Sequence, residues 1–203
     1  HLRRRAGHGQ EGQKPEQVVT LLRQMEVAVA NGKTTNDPAR PKVKALEGHF
    51  DPGFRSFDMN YSDLKRAERF ISELHRFEAT GDMPRLQIVR LPNDHTAGTS
   101  KGAKTPTAFV AENDLALGRV VEAIAKSRFW KESAIFVLED DAQSGPDHVD
   151  AHRSVALIIS PFARHGVVDS TMYTTSGILR TIELILGLFQ ERQLKPNTTI
   201  FTE

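Results

Sequence analysis

The sequence predicts an α/β fold, a sheet with helices on both faces, and two observations carry that expectation. Short runs that are apolar along most of their length alternate with segments of helical periodicity, and strands of that kind need cover on both faces. The runs are also cut off by turn-forming residues, which sets them apart from pieces of buried helix. With 38% hydrophobic and 26% charged residues over 203, one ordinary globular domain with a sizeable core fits better than a disordered or membrane class.

Residues 1–44 read as a polar segment. The opening stretch is Gly-rich, and residues 31–45 collect Asn, Gly, Thr and two prolines, so both are expected to be loop or disordered linker. Between them Val18, Leu21, Leu22, Met25, Val27 and Val29 give a loose helical pattern, a possible short helix. Residues 45–203 hold the patterned remainder. From Ser62, an expected N-cap, the residues Leu64, Ala67, Phe70, Ile71, Leu74 and Phe77 fall on one helix face, ended by Gly81 and Pro84. Leu86–Leu91 then reads as a strand feeding a loop at Pro92. A second helix is expected over Glu112–Lys126, buried strands at Ala134–Leu138 and Val155–Ile159, and a last helix capped by Ser176 and stopping at Gly187.

Bulk charge excludes little and suggests nothing. Twenty-seven basic against 26 acidic residues leave +1, so no global field points to nucleic acid or an acidic membrane. Arg3, Arg4 and Arg5 lack interleaved aromatic residues for base stacking and read as a solvated end. No apolar run approaches the roughly 20 residues needed to span a bilayer. Cysteine is absent, which leaves no disulfide, thiol nucleophile or thiolate ligand, and any metal must be held by oxygen and imidazole. The chain opens on His1 without a signal segment, which fits a fragment or a processed protein.

In α/β sheets ligands bind beyond the carboxyl ends of strands, so the residues after Leu91 and after Leu138 are the first places for chemistry. Asp94 and His95 follow the first in a polar turn. Glu139, Asp140 and Asp141 follow the second, then Asp147, His148, Asp150, His152 and Arg153. Adjacent carboxylates at a strand end are costly without a counter-charge, and a divalent cation supplies one. A mixed oxygen and nitrogen donor set without sulfur favours zinc, manganese or iron, zinc or manganese above all, and leaves calcium and magnesium open. Read singly, an NDH turn is more often an Asx-turn or helix cap than a ligand site, and a run such as EDD is usually a solvated loop. Two such clusters, each after a buried strand, argue for one shared site. His49, His75 and His165 lack a comparable acidic setting and read as structural.

At these residues the chain resembles the phosphoesterase family of the alkaline-phosphatase-like superfamily, which includes bacterial phospholipases C and acid phosphatases. LPNDHT, EDD and DHVDAHR in that order carry the resemblance, which runs from about Ala45 to Leu188. It is similar to bacterial members in which this domain follows a β-propeller. The resemblance implies a partial alkaline-phosphatase-like core, with residues 45–203 as the C-terminal half of a phosphoesterase domain. It implies that Asp94 and His95 bind one metal, that Asp140 and Asp141 bind the other, and that a later histidine completes the first site. His148 is favoured for that part, with His152 as a candidate. One or two ions are implied. Arg153 could bind substrate phosphate, and could equally pair with Asp150.

The resemblance further implies hydrolysis of phosphomonoesters or phosphodiesters, small molecules or lipid head groups, in a periplasmic or extracellular setting. The family's Ser or Thr nucleophile sits on an N-terminal strand and helix that has no counterpart before Ala45. Proximity is all that favours Thr96 or Thr99 in its place. The nucleophile is therefore expected from a missing N-terminal half, and the fragment alone is expected to be inactive. The alternatives are sulfate-ester hydrolysis on the same scaffold, or a non-catalytic metal-binding or interaction module.

Overall fold

A computed structural model describes residues 46–139 and 154–187. Described residues up to Thr171 belong to one compact unit, and those from Met172 onward to a second.

In the first unit, helix α1 spans Asp63–Thr80. The Ser62 hydroxyl accepts the Leu64 N–H at 3.2 Å and meets one of the orphan donors of the first turn. Gly81 ends the helix in the left-handed region at φ 74°, where its N–H reaches the Phe77 carbonyl. The buried face holds Ala67, Phe70 and Leu74, as the periodicity predicts. It also holds Asp63 and Arg66, both 0% exposed.

Burying that pair is tolerable because Arg66 uses every donor it has. Nε donates to the Arg55 carbonyl, Nη1 to the Tyr61 carbonyl and Asp63 Oδ1, and Nη2 to the carbonyls of Ser56 and Asp58, all within 2.7–3.0 Å. A planar five-donor guanidinium fits such a cage, where an ammonium would not. The loop over residues 55–61 is therefore shaped around one side chain of α1. Outside it, Asp51 takes Nε and Nη2 of Arg69 at 2.7 and 2.8 Å. Gly53 stands so close that a Cβ there would meet Arg69 Nε at 2.8 Å.

Helix α2 spans Pro106–Lys126 and begins six residues before the predicted start. Thr105 accepts the Ala108 N–H at 3.2 Å and Pro106 occupies the first turn, where no N–H is needed. The core forms where Ala67, Phe70 and Leu74 of α1 meet Ala116 and Val120 of α2, flanked by Leu64, Ile71, Val89, Leu91 and Ile124. Two fully buried alanines, one on each helix, leave room for the larger side chains to interdigitate.

Strands β1 (Ile135–Leu138) and β2 (Ala156–Ile159) pair antiparallel, Ile135 opposite Ile159 and Leu138 opposite Ala156. Ser160 Oγ donates to the Ser133 carbonyl and Ser154 Oγ to the Glu139 carbonyl, both at 2.9 Å, so each end of the pair is tied. In the second unit, helix α3 spans Thr175–Ile185 and buries Ile178 and Glu183.

The mixture of helix and sheet has the expected α/β character, but the described sheet is a two-stranded antiparallel pair. A sheet with helices on both faces is not displayed by these residues. Leu86–Leu91 is not a strand. Val89 and Leu91 pack on the helical core as alternating residues should, yet no neighbouring strand among the described residues completes a ladder. Thr174, not Ser176, caps α3, by accepting the Gly177 N–H at 3.0 Å. The possible helix near residues 18–29 lies outside the described residues. No described helix is long and apolar enough to cross a membrane.

Two stability outcomes follow. Arg66→Met strands the Asp63 charge and four carbonyl oxygens, and urea denaturation should show a loss of about 3–5 kcal/mol, the cost of breaking a buried pair. A loss in the surface-pair range of about 0–1 kcal/mol would refute the cage. The hydrogen bonds from Arg69 hold the Asp51 carboxyl below the ordinary aspartate range, against the opposing effect of burial and with help from the Gly53 N–H. Its contribution is thus complete above the unfolded value and lost as pH falls through the lowered folded one. Asp51→Asn should cost about 0.5 kcal/mol at neutral pH, a partly exposed pair, and nothing relative to wild type in strong acid.

Candidate functional site

The residues after Leu91 form a short 3₁₀ turn, Pro92–His95. Pro92 suits its first position because that N–H would have no partner. The turn is fixed from below by side chains of both helices. Asp63 Oδ2 accepts the Asn93 N–H at 2.9 Å, and Asn113 Nδ2 bridges Asp63 Oδ2 at 3.0 Å and the Leu91 carbonyl at 2.7 Å. Glu112 Oε1 accepts the Asp63 N–H at 3.1 Å and Asn93 Nδ2 at 3.2 Å, while Lys104 pairs with its other oxygen. Burial works against the Glu112 charge, but Lys104 and the Ser62 hydroxyl hold the carboxyl below its ordinary range.

Asn93 is 1% exposed, and the Glu112 carboxylate dictates which way its amide faces, because only the NH2 end can donate there. Its Oδ1 consequently has no hydrogen-bond partner among the described residues. A buried orphan acceptor is unusual, and this one lies one residue before Asp94.

His95 is oriented on two sides. Its Nδ1 lies 3.0 Å from the Thr96 carbonyl, which can only accept, so the neutral ring carries its proton on Nδ1 and its lone pair on Nε2. The Phe57 ring meets the imidazole edge-on, 5.5 Å between centroids, and Arg90 lies over Phe57 at 5.1 Å. Thr96 provides its carbonyl from a strained backbone, φ 58° and ψ 172°. It is the sole non-glycine of positive φ among the described residues, in a region that a β-branched side chain disfavours.

Asp94 retains access to solvent, yet the protein around it removes enough water to push its carboxyl above the ordinary range. The charges of Glu139 and Asp63 push the same way, opposed by the backbone N–H groups of Asp94 and His95. The field of Glu139 at Asp94 puts the end of β1 and the 3₁₀ turn in one electrostatic neighbourhood. Glu139 also meets Ser154, whose hydroxyl lies 3.3 Å from Oε2, and its N–H reaches the Val155 carbonyl at 3.3 Å. The two described residues that flank segment 140–153 therefore stand side by side.

Asp94 and His95 lie in the 3₁₀ turn after the 86–91 segment, and the charge of Glu139 is felt at Asp94. Asp140, Asp141, His148, His152 and Arg153 lie outside the described residues. Among the described residues no three His, Cys, Asp or Glu side chains gather into a metal-binding group. In kind the donors present suit a divalent cation: one carboxylate in a surplus of negative charge, and one imidazole whose free nitrogen is preset by its backbone contact. Sequence reasoning missed Asp63, Glu112, Asn93 and Asn113. The available signal was polar residues at helical spacing with the apolar face, Asp63 with Ala67 and Phe70, and Asn113 with Phe109, Ala116 and Val120.

A family model described as the Phosphoesterase family matches residues 28–189, well over half of the chain. No curated protein and no solved structure matches.

Strain at Thr96 has a measurable sign. Thr96→Ala and Thr96→Gly both lose the 3.2 Å bond from the Gly98 N–H to Oγ1, but only glycine relieves the positive φ. The Gly variant should be the more stable of the two by about 1 kcal/mol in equilibrium denaturation. The ordinary order, with Gly worse than Ala by about 0.5–1 kcal/mol, would show that no strain is held there.

Proposed function

The chain belongs to the phosphoesterase family, and on that premise we propose that it provides ligands of a divalent-metal centre for hydrolysis of phosphate monoesters or diesters. Membership implies a hydrolase acting on phosphate esters. The observation that best supports the finer reading is the like-charge effect of Glu139 on Asp94, an unfavourable carboxylate field between the 3₁₀ turn and the end of β1. A surplus of carboxylates there is relieved by a cation.

In this reading Asp94 and His95 hold one ion, with His148, or failing it His152, completing the set, and Asp140 and Asp141 hold a second. Zinc or manganese suits these donors best. Bound there, the metal supplies Lewis acidity toward a phosphoryl oxygen. The Thr96 carbonyl keeps the His95 lone pair on Nε2, and the 3₁₀ turn keeps Asp94 and His95 adjacent. Arg153 offers a fixed two-pronged donor to substrate phosphate. The nucleophilic Ser or Thr belongs, in the same reading, to a segment outside this chain, as do the strands that would complete an alkaline-phosphatase-like sheet with helices on both faces. A periplasmic or extracellular setting accompanies the reading through the resemblance.

The test uses the full-length protein. Metal content and calorimetric affinity for zinc and manganese are measured alongside turnover of nitrophenyl phosphate, bis-nitrophenyl phosphate and nitrophenyl sulfate. Loss of a supporting residue costs roughly 10–100-fold in affinity, so loss of a ligand in Asp94→Asn, His95→Ala or the double Asp140→Asn, Asp141→Asn variant should cost about 100-fold or more. Chelation should abolish turnover of the phosphate esters. Turnover that survives metal removal sinks the proposal; tight metal binding with no turnover leaves a metal-binding module, and preference for the sulfate ester a sulfatase.

A further inference from the structure

We propose that Asn113 is a positioning residue for the Asp94–His95 pair, acting from helix α2 through the backbone on both sides of Pro92. The inference rests on the metal reading above for one of its two readouts only.

Proline brings no N–H to the start of the turn, so the chain there cannot be held by the usual local donors. What holds its backbone instead is one amide and one carboxylate, while Glu112 takes the Asn93 side chain. Asn113 Nδ2 donates to the Leu91 carbonyl at 2.7 Å, immediately before Pro92, and to Asp63 Oδ2 at 3.0 Å. The same Asp63 oxygen accepts the Asn93 N–H at 2.9 Å, immediately after Pro92. The ring of contacts closes through the turn itself. Asn93 then accepts the Thr96 N–H on its carbonyl at 3.1 Å, and the Thr96 carbonyl faces His95 Nδ1 at 3.0 Å. A continuous hydrogen-bonded path thus runs from Asn113 to the imidazole.

The chemistry singles out asparagine at this position. Aspartate would set a third acceptor against Asp63 Oδ2 and the Leu91 carbonyl, and alanine would take the donor from the Leu91 carbonyl and leave Asp63 Oδ2 the Asn93 N–H. Asn113 touches neither Asp94 nor His95, so it acts by placing them. A half-buried hydrogen-bonded support of this kind helps to fix ligand geometry.

The experiment compares full-length wild type with Asn113→Ala and the milder Asn113→Ser, each carrying nitrogen-15 histidine and stripped of metal. The His95 resonances are identified by their loss in His95→Ala. At alkaline pH the wild-type ring should be held with its proton on Nδ1, and both variants should move toward a mixture of tautomers. Zinc and manganese affinity should fall about 10–100-fold in the same variants. A lowered melting temperature with wild-type tautomer and wild-type affinity makes Asn113 merely structural and overturns the proposal, as does a wild-type ring without the Nδ1 proton. Should Asn113→Ala fail to fold, Asn113→Ser decides on the same two measurements. If Asp94→Asn and His95→Ala bind metal as wild type does, the metal reading falls, while the tautomer shift still decides the role of Asn113.

Discussion

The buried pair of Asp63 and Arg66 is the constraint on which the described fold turns. An ion pair removed from water gains little unless its remaining donors and acceptors are met. Here they are met in two directions. Arg66 spends its five N–H groups on a loop before its own helix and on Asp63. Asp63 gives its second oxygen to the turn after Leu91 and to Asn113 of the facing helix. One pair on α1 therefore organises the loop at 55–61, the packing of α1 on α2, and the turn that bears the candidate site.

The parts of the fold legible in the sequence are those where local chemistry and burial agree. Helix α1 has its serine cap, its apolar stripe and its glycine stop, and all three stand where the pattern puts them. Helix α2 starts early because Thr105 and Pro106 form a cap and first turn that precede the apolar pattern. The 86–91 segment shows the converse limit. Its composition is right for a strand, but a strand is a relation between two segments, and its own residues cannot say whether a partner stands beside it.

Strand-end logic directs attention to two places in the sequence, although the 86–91 segment before the first of them is not a strand. Placing chemistry after residues 91 and 138 points to Asp94, His95 and the acidic run from Glu139, and the Glu139 charge disfavours the charged form of Asp94. Two features escape such logic. The positive φ of Thr96 arises from a tertiary fit, since nothing about threonine invites it. The Asp63, Glu112 and Asn113 supports are legible only as polar exceptions on otherwise apolar helix faces, and their targets lie 19 to 50 residues away.

Those separations also set an order of assembly. The bonds of the Arg66 cage span 3 to 11 residues, so its loops close at small entropic cost and need little beyond a first turn of α1. The bonds that seat the 3₁₀ turn span 30 residues from Asp63 and 22 from Asn113, and the tie between those two spans 50. They form once both helices have docked. The seat of the turn bearing Asp94 and His95 therefore exists only where α1 and α2 are docked, whereas the cage needs α1 and its preceding loop alone.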